Sequence, residues 1–220
     1  MSTSAEELTR TFWAAFPADF IEDLMRLLAS EYRTAKIECD TFYPDEEAHD
    51  LCPHVRRAKI ECRVRELASA FPGITATAEP NAAGTSYHTR VVSHGVTLVI
   101  NHVAQPTDMV RRAEFRNTYA RLAQGSLFEP DEPPPQDGML FAILLHGASK
   151  RDPRRPDFVQ VAFPDAECKH YIHRIDLFAI PRFKSLANEL WPARVEEVED
   201  DLDMGLRSDA KKKNRKKQGD

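Results

Sequence analysis

The chain has 220 residues, 42% of them hydrophobic and 30% charged, with a formal net charge of −5. That balance belongs to a globular protein long enough for one substantial domain, not to a disordered chain. The negative total excludes whole-surface attraction to nucleic acid or anionic lipid, so any polyanion contact has to come from a local patch.

The opening Met1-Ser2-Thr3-Ser4-Ala5-Glu6-Glu7 lacks the apolar core of a secretory signal. The longest apolar run, 139–145, falls far short of the roughly 20 residues that span a bilayer. A soluble, cytoplasmic protein without membrane contact is expected. Cys39, Cys52, Cys62 and Cys168 are too few and too scattered for a disulfide scaffold and are expected to be reduced.

The first seventy or so residues read as helices. Ser4 and Glu7 fit a capping box ahead of an apolar stripe through Leu8, Phe12 and Trp13, which Pro17 punctuates. Phe20, Ile21, Leu24, Leu27, Leu28 and Tyr32 recur at spacings of three and four and define a second helix. A third is expected from near Pro53 to Phe71, with Ile60, Val64 and Leu67 on its buried face and Pro72-Gly73 as its stop. Alternatively, Pro53 kinks a longer helix that begins near Asp45.

From residue 74 the period changes to that of strands. Strands are expected over 74–78, 87–92 and 96–103, the latter two joined by Ser93-His94-Gly95, where Gly95 can take a positive φ. Asp108 is placed to cap a helix to about residue 124, and the proline-rich stretch 129–135 reads as an extended connection. Strands over 140–146, 158–163 and 171–180 follow, and a final helix over 182–191. These elements imply an α+β fold, with N-terminal helices packed on a mostly antiparallel sheet. One domain is expected over 1–192, mainly helical to 73 and sheet-containing after it. Residues 193–220 read as a disordered tail, because 196–203 holds six acids and 211–217 six bases, with little apolar content to offset ordering.

Two basic segments point to a polyanion. In the tail, Lys211, Lys212, Lys213, Arg215, Lys216 and Lys217 can attract phosphate without sequence preference, or pair with the acidic block before them. In the loop after residue 149, Pro153 and Pro156 stiffen a run with Lys150, Arg151, Arg154 and Arg155, and arginine's planar fork suits phosphate oxygens. Arg111, Arg112 and Arg116 are candidates to extend that patch.

Pro156-Asp157 followed by Glu167-Cys168-Lys169 resembles the PD-(D/E)xK pattern of metal-dependent nucleases. The resemblance implies that Asp157 and Glu167 hold a magnesium ion while Lys169 positions or activates water. With a tight turn at Pro164-Asp165, Asp157 would face Ile172 and Glu167 would face Ala162, roughly 16 Å apart along the ladder, too far for one metal. In the same hairpin His146 would lie beside Asp157, a pairing suited to a general base. No G-x-S-x-G elbow, P-loop or dinucleotide fingerprint is present. His49, Cys52 and His54, and Cys168, His170 and His173, have metal-ligand chemistry but not the regular spacing of a zinc site, so no metal or other cofactor is expected.

The leading expectation is a non-enzymatic binding or regulatory protein that engages nucleic acid or an acidic protein partner through the basic loop and tail. The alternatives are the magnesium-dependent nuclease and an accessory subunit whose N-terminal helices pack on a partner.

Overall fold

The structure, a computed structural model, describes residues 4–128 and 140–192, without the side chains of 124–128. The proline-rich connection and the charged tail, with Lys211, Lys212, Lys213, Arg215, Lys216 and Lys217, lie outside the described residues. The described residues up to Leu190 belong to one compact unit.

Helix α1 (Ala5–Ala15) starts as its sequence implies: the Ser4 hydroxyl accepts from the Glu7 amide at 3.2 Å. Pro17 precedes α2 (Ala18–Phe42), which buries Phe20, Ile21, Leu24, Leu28, Tyr32 and Cys39. The third helix, α3, is the longer of the two alternatives, Asp45–Ser69, and Pro53 lies inside it. Its buried stripe runs Ala48, Cys52, Arg56, Ile60, Val64 and Ala68, one residue every four. That stripe packs along α2 on both sides of Pro53, and its burial outweighs the one amide donor that proline removes.

Six strands follow, and their order across the sheet is their order in the chain. They are β1 (Ile74–Pro80), β2 (Tyr87–Ser93), β3 (Val96–His102), β4 (Leu140–Ala148), β5 (Pro156–Pro164) and β6 (Tyr171–Asp176). All neighbours pair antiparallel except β3 and β4. Those two run parallel because the chain between them crosses over through α4 (Glu114–Phe128). The fold is therefore α+β with a mostly antiparallel sheet. At the β2–β3 turn both His94 and Gly95 take positive φ, 45° and 76°.

The two central strands are buried almost throughout, since both faces of the sheet are covered. Val99, Phe141, Ile143 and Leu145 form a cluster with Ala120 and Ala123 of α4. The alternate residues turn to the N-terminal helices. There Tyr32 meets His146, the Ser93 hydroxyl donates to the Ala15 carbonyl at 2.6 Å, and Phe12 packs edge-on against Phe163.

Two boundaries differ from expectation. Asp108 does not cap a helix; its carboxylate accepts from the Gln105 amide at 2.9 Å, and α4 starts at Glu114. The last strand stops at Asp176, whose carboxylate accepts from the Phe178 amide and turns the chain into a short 3₁₀ segment, Leu177–Ala179. Helix α5 (Pro181–Leu190) completes the unit, with Arg182 bonded to Asp19 and Glu22 of α2. Among the described residues, no helix is long and apolar enough to cross a membrane.

Candidate anion-binding cleft

At one end of the sheet β1, β3 and β4 finish while β2 and β5 begin, as their pairing registers require. Here a cleft of about 360 Å³ opens between α3 and the segment that leads into α4. Arg56, Arg57 and Glu61 line one wall, Arg111, Arg112 and Arg116 another, and Asn101, His102 and His146 lie at the strand ends between them.

Arg56 occupies a position on the α3 stripe where a core residue belongs and is 3% exposed. Its guanidinium lies 4.0 Å from the Tyr32 ring centroid, and its Nη2 donates to the Pro153 carbonyl at 3.1 Å. Among the described residues its buried Nε has no partner. Arg116 donates to the Asn101 side-chain oxygen and the Arg111 carbonyl, and its Nε too is buried without a partner among the described residues. Burial, seconded by Arg57, lowers its pKa to about 10.

The charge balance of the cleft is one-sided. Five arginines face one carboxylate, Glu61, and Glu61 already pairs with Arg57 at 2.8 Å. Among the described residues no carboxylate forms an ion pair with Arg56, Arg111, Arg112 or Arg116. A guanidinium does not shed its charge near neutral pH, and a buried charge without a counter-charge is costly. This arrangement favours an anion in the cleft.

The histidines are held neutral. Burial, then His102 and Arg56, lower the His146 pKa to about 3; burial and Arg56 also lower that of His102. His102 Nε2 accepts from the Ala148 amide at 3.4 Å. His88 stacks on Phe115 with ring centroids 3.6 Å apart, and burial lowers its pKa against the opposing pull of Glu79.

Of the residues singled out by sequence, Arg111, Arg112 and Arg116 line this cleft. The loop with Lys150, Arg151, Arg154 and Arg155 lies at the same end of the sheet, tied to Arg56 through Pro153. Lys150 and Arg151 are exposed, whereas Arg154 pairs with Asp152 at 2.8 Å.

The nuclease-like string is not brought together. Asp157 stands at the beginning of β5, while Glu167 and Lys169 pair with each other in the turn beyond its end. Asp157 lies seven residue steps of strand before Pro164, about 23 Å. The tight turn expected at Pro164-Asp165 is replaced by a longer one over 165–170, where the Asp165 carboxylate accepts from the Lys169 amide at 2.6 Å. The register shifts accordingly: Ala162 faces Arg174, not Glu167, and Asp157 lies beyond the pair Gln160–Asp176, well away from Ile172. His146 stands opposite Val159, not beside Asp157, and its Nδ1 is bonded to Tyr32.

Among the described residues no group of three or more His, Cys, Asp or Glu side chains is arranged to hold a metal. Cys52 packs on Cys39 while His49 and His54 are exposed. The Cys168 thiol donates to the Arg116 carbonyl, His170 pairs with Asp165, and His173 bonds Thr9. The apolar faces of α1 and α2 are turned onto the sheet of their own chain.

Sequence reasoning missed Arg56, Arg57, Asn101 and His102. Arg56 carried a legible signal, a lone cation inside a four-residue apolar repeat; the others became site residues only when β3 ended beside α3. No protein-family model, curated protein or solved structure matches the chain.

Proposed function

We propose that the protein is a non-enzymatic, cytoplasmic nucleic-acid-binding module that takes single strands through the arginine cleft and the adjoining loop with Lys150 and Arg155. One observation carries the reading: among the described residues, buried Arg56 and half-buried Arg116, on facing walls of the cleft, have no carboxylate partner, and the Nε of each is buried. A phosphate group presents several oxygens tetrahedrally and accepts guanidinium donors from more than one direction, whereas one fork satisfies a planar carboxylate. A cleft of about 360 Å³ has room for a nucleotide but not for a duplex. The described cysteines are all free, in keeping with a reducing compartment.

The test is the salt dependence of binding to a labelled single-stranded oligonucleotide. Affinity is expected to fall steeply between about 50 and 200 mM salt, with a log–log slope that shrinks by about 0.7 for each phosphate the protein ceases to neutralise. Arg111→Ala with Arg112→Ala should therefore flatten the slope by about 1.4. Salt-independent binding, or none, removes the proposal. Equal competition by polyglutamate of matched charge assigns the cleft to an acidic protein instead.

A further inference from the structure

Building on the nucleic-acid reading, we infer that the cleft is built for a phosphate monoester, the terminal phosphate of a strand, and not for an internal phosphodiester.

Charge favours the monoester. A phosphodiester brings one negative charge, whereas a monoester brings up to about two and three terminal oxygens. Two guanidiniums without carboxylate partners, Arg56 on α3 and Arg116 on α4, line the cleft from opposite walls. Each keeps a buried Nε–H without an acceptor among the described residues. Buried donors are rarely left unmet, and a terminal phosphate has oxygens enough to serve both sides.

Shape favours it as well. An internal phosphate continues into chain on two sides, so both ester oxygens need a way out. A terminal group has chain on one side only. Here the ends of β3 and β4, with Asn101, His102 and His146, close the space between the walls, which suits a group that enters head-first.

Stacking on aromatic rings carries much of the affinity of single-strand binders for bases. The rings here are already engaged, Phe115 by His88 and by Arg116, and Tyr32 by Arg56. Recognition therefore falls on the phosphate, without base preference.

The experiment compares oligonucleotides of one sequence that carry a 5′-phosphate, a 3′-phosphate or hydroxyls at both ends, with inorganic phosphate as competitor. One phosphorylated strand is expected to bind about tenfold tighter than the hydroxyl-ended strand, and inorganic phosphate should erase that increment. Which end gains identifies the terminus. Arg56→Lys and Arg116→Lys keep the charge but lose the fork. They should weaken the phosphorylated strand more than the hydroxyl-ended strand and so reduce the increment, with thermal unfolding as the check on folding. Should Arg56→Lys unfold, the exposed Arg112→Ala serves as the second variant and should also shrink the increment. Equal affinity for all three strands overturns the inference, and a steep salt dependence would then still uphold the nucleic-acid reading. If no strand binds but inorganic phosphate raises the unfolding temperature, the nucleic-acid reading falls and a phosphomonoester ligand stands. Neither binding nor stabilisation removes both.

Discussion

The Tyr32 hydroxyl and His146 Nδ1 share a buried hydrogen bond of 2.6 Å, which joins α2 to β4 across the core. Burial keeps the phenol protonated and the imidazole neutral, and Arg56 rests on the face of the same tyrosine. One polar contact thus connects the helical layer, the sheet and the back of the cleft. Tyr32→Phe leaves His146 without this partner in a buried site, at a cost of about 1–3 kcal/mol. Urea unfolding should show a lower midpoint with an unchanged slope.

The same histidine makes stability depend on pH. Its folded pKa, about 3, lies below the ordinary value of 6.5, so the unfolded chain takes up a proton that the folded chain refuses. Its contribution is whole above pH 6.5 and is lost progressively down to about pH 3. The loss runs at about 1.4 kcal/mol per pH unit per proton. His102 and His88 are shifted in the same direction and add to it. His146→Gln should flatten the acid limb of a stability–pH curve by about one proton; an unchanged limb would contradict the assignment.

Gly147 is required by packing. A Cβ there would come within 2.4 Å of the Phe158 ring and 2.6 Å of the Val103 carbonyl oxygen. The first contact can yield if the ring turns, but the second is backbone. Gly147→Ala should destabilise the fold by about 1–3 kcal/mol, measurable by denaturant titration.

The loop cations should contribute unequally. Arg154 is neutralised by Asp152, so Arg154→Ala is expected to change the salt slope of oligonucleotide binding little. Lys150→Ala with Arg155→Ala should lower it by about 1.4, two phosphates at about 0.7 each. Equal effects would place the binding surface away from this loop.

Much of the fold was legible because local rules agreed with global packing. Ser4 capped its helix, Leu24, Leu28 and Tyr32 repeated at helical spacing, and Gly95 marked its turn. The errors came where a tertiary contact overrode a local signal. Pro53 looked like a helix start, but the stripe from Ala48 to Ala68 buried against α2 carried the helix through it. Asp108 looked like a cap, but its carboxylate had a nearer amide at Gln105. The turn at Pro164 looked tight, but the Asp165 carboxylate gathered the amides of Lys169 and His170 into a longer one and shifted the register.

The sequence by itself determined the layers: helical period before residue 74, strand period after it, and cations concentrated at 111–116 and 150–155. Which charges meet was decided only by the tertiary structure. The β3–β4 crossover brings Arg116 to Asn101, and α3 carries Arg56 under the loop at Pro153. Periodicity is a property of neighbours along the chain, so it can be read from one segment at a time. A cleft is a property of segments far apart in sequence, and its charge balance exists only after the register of the sheet has brought them to one end.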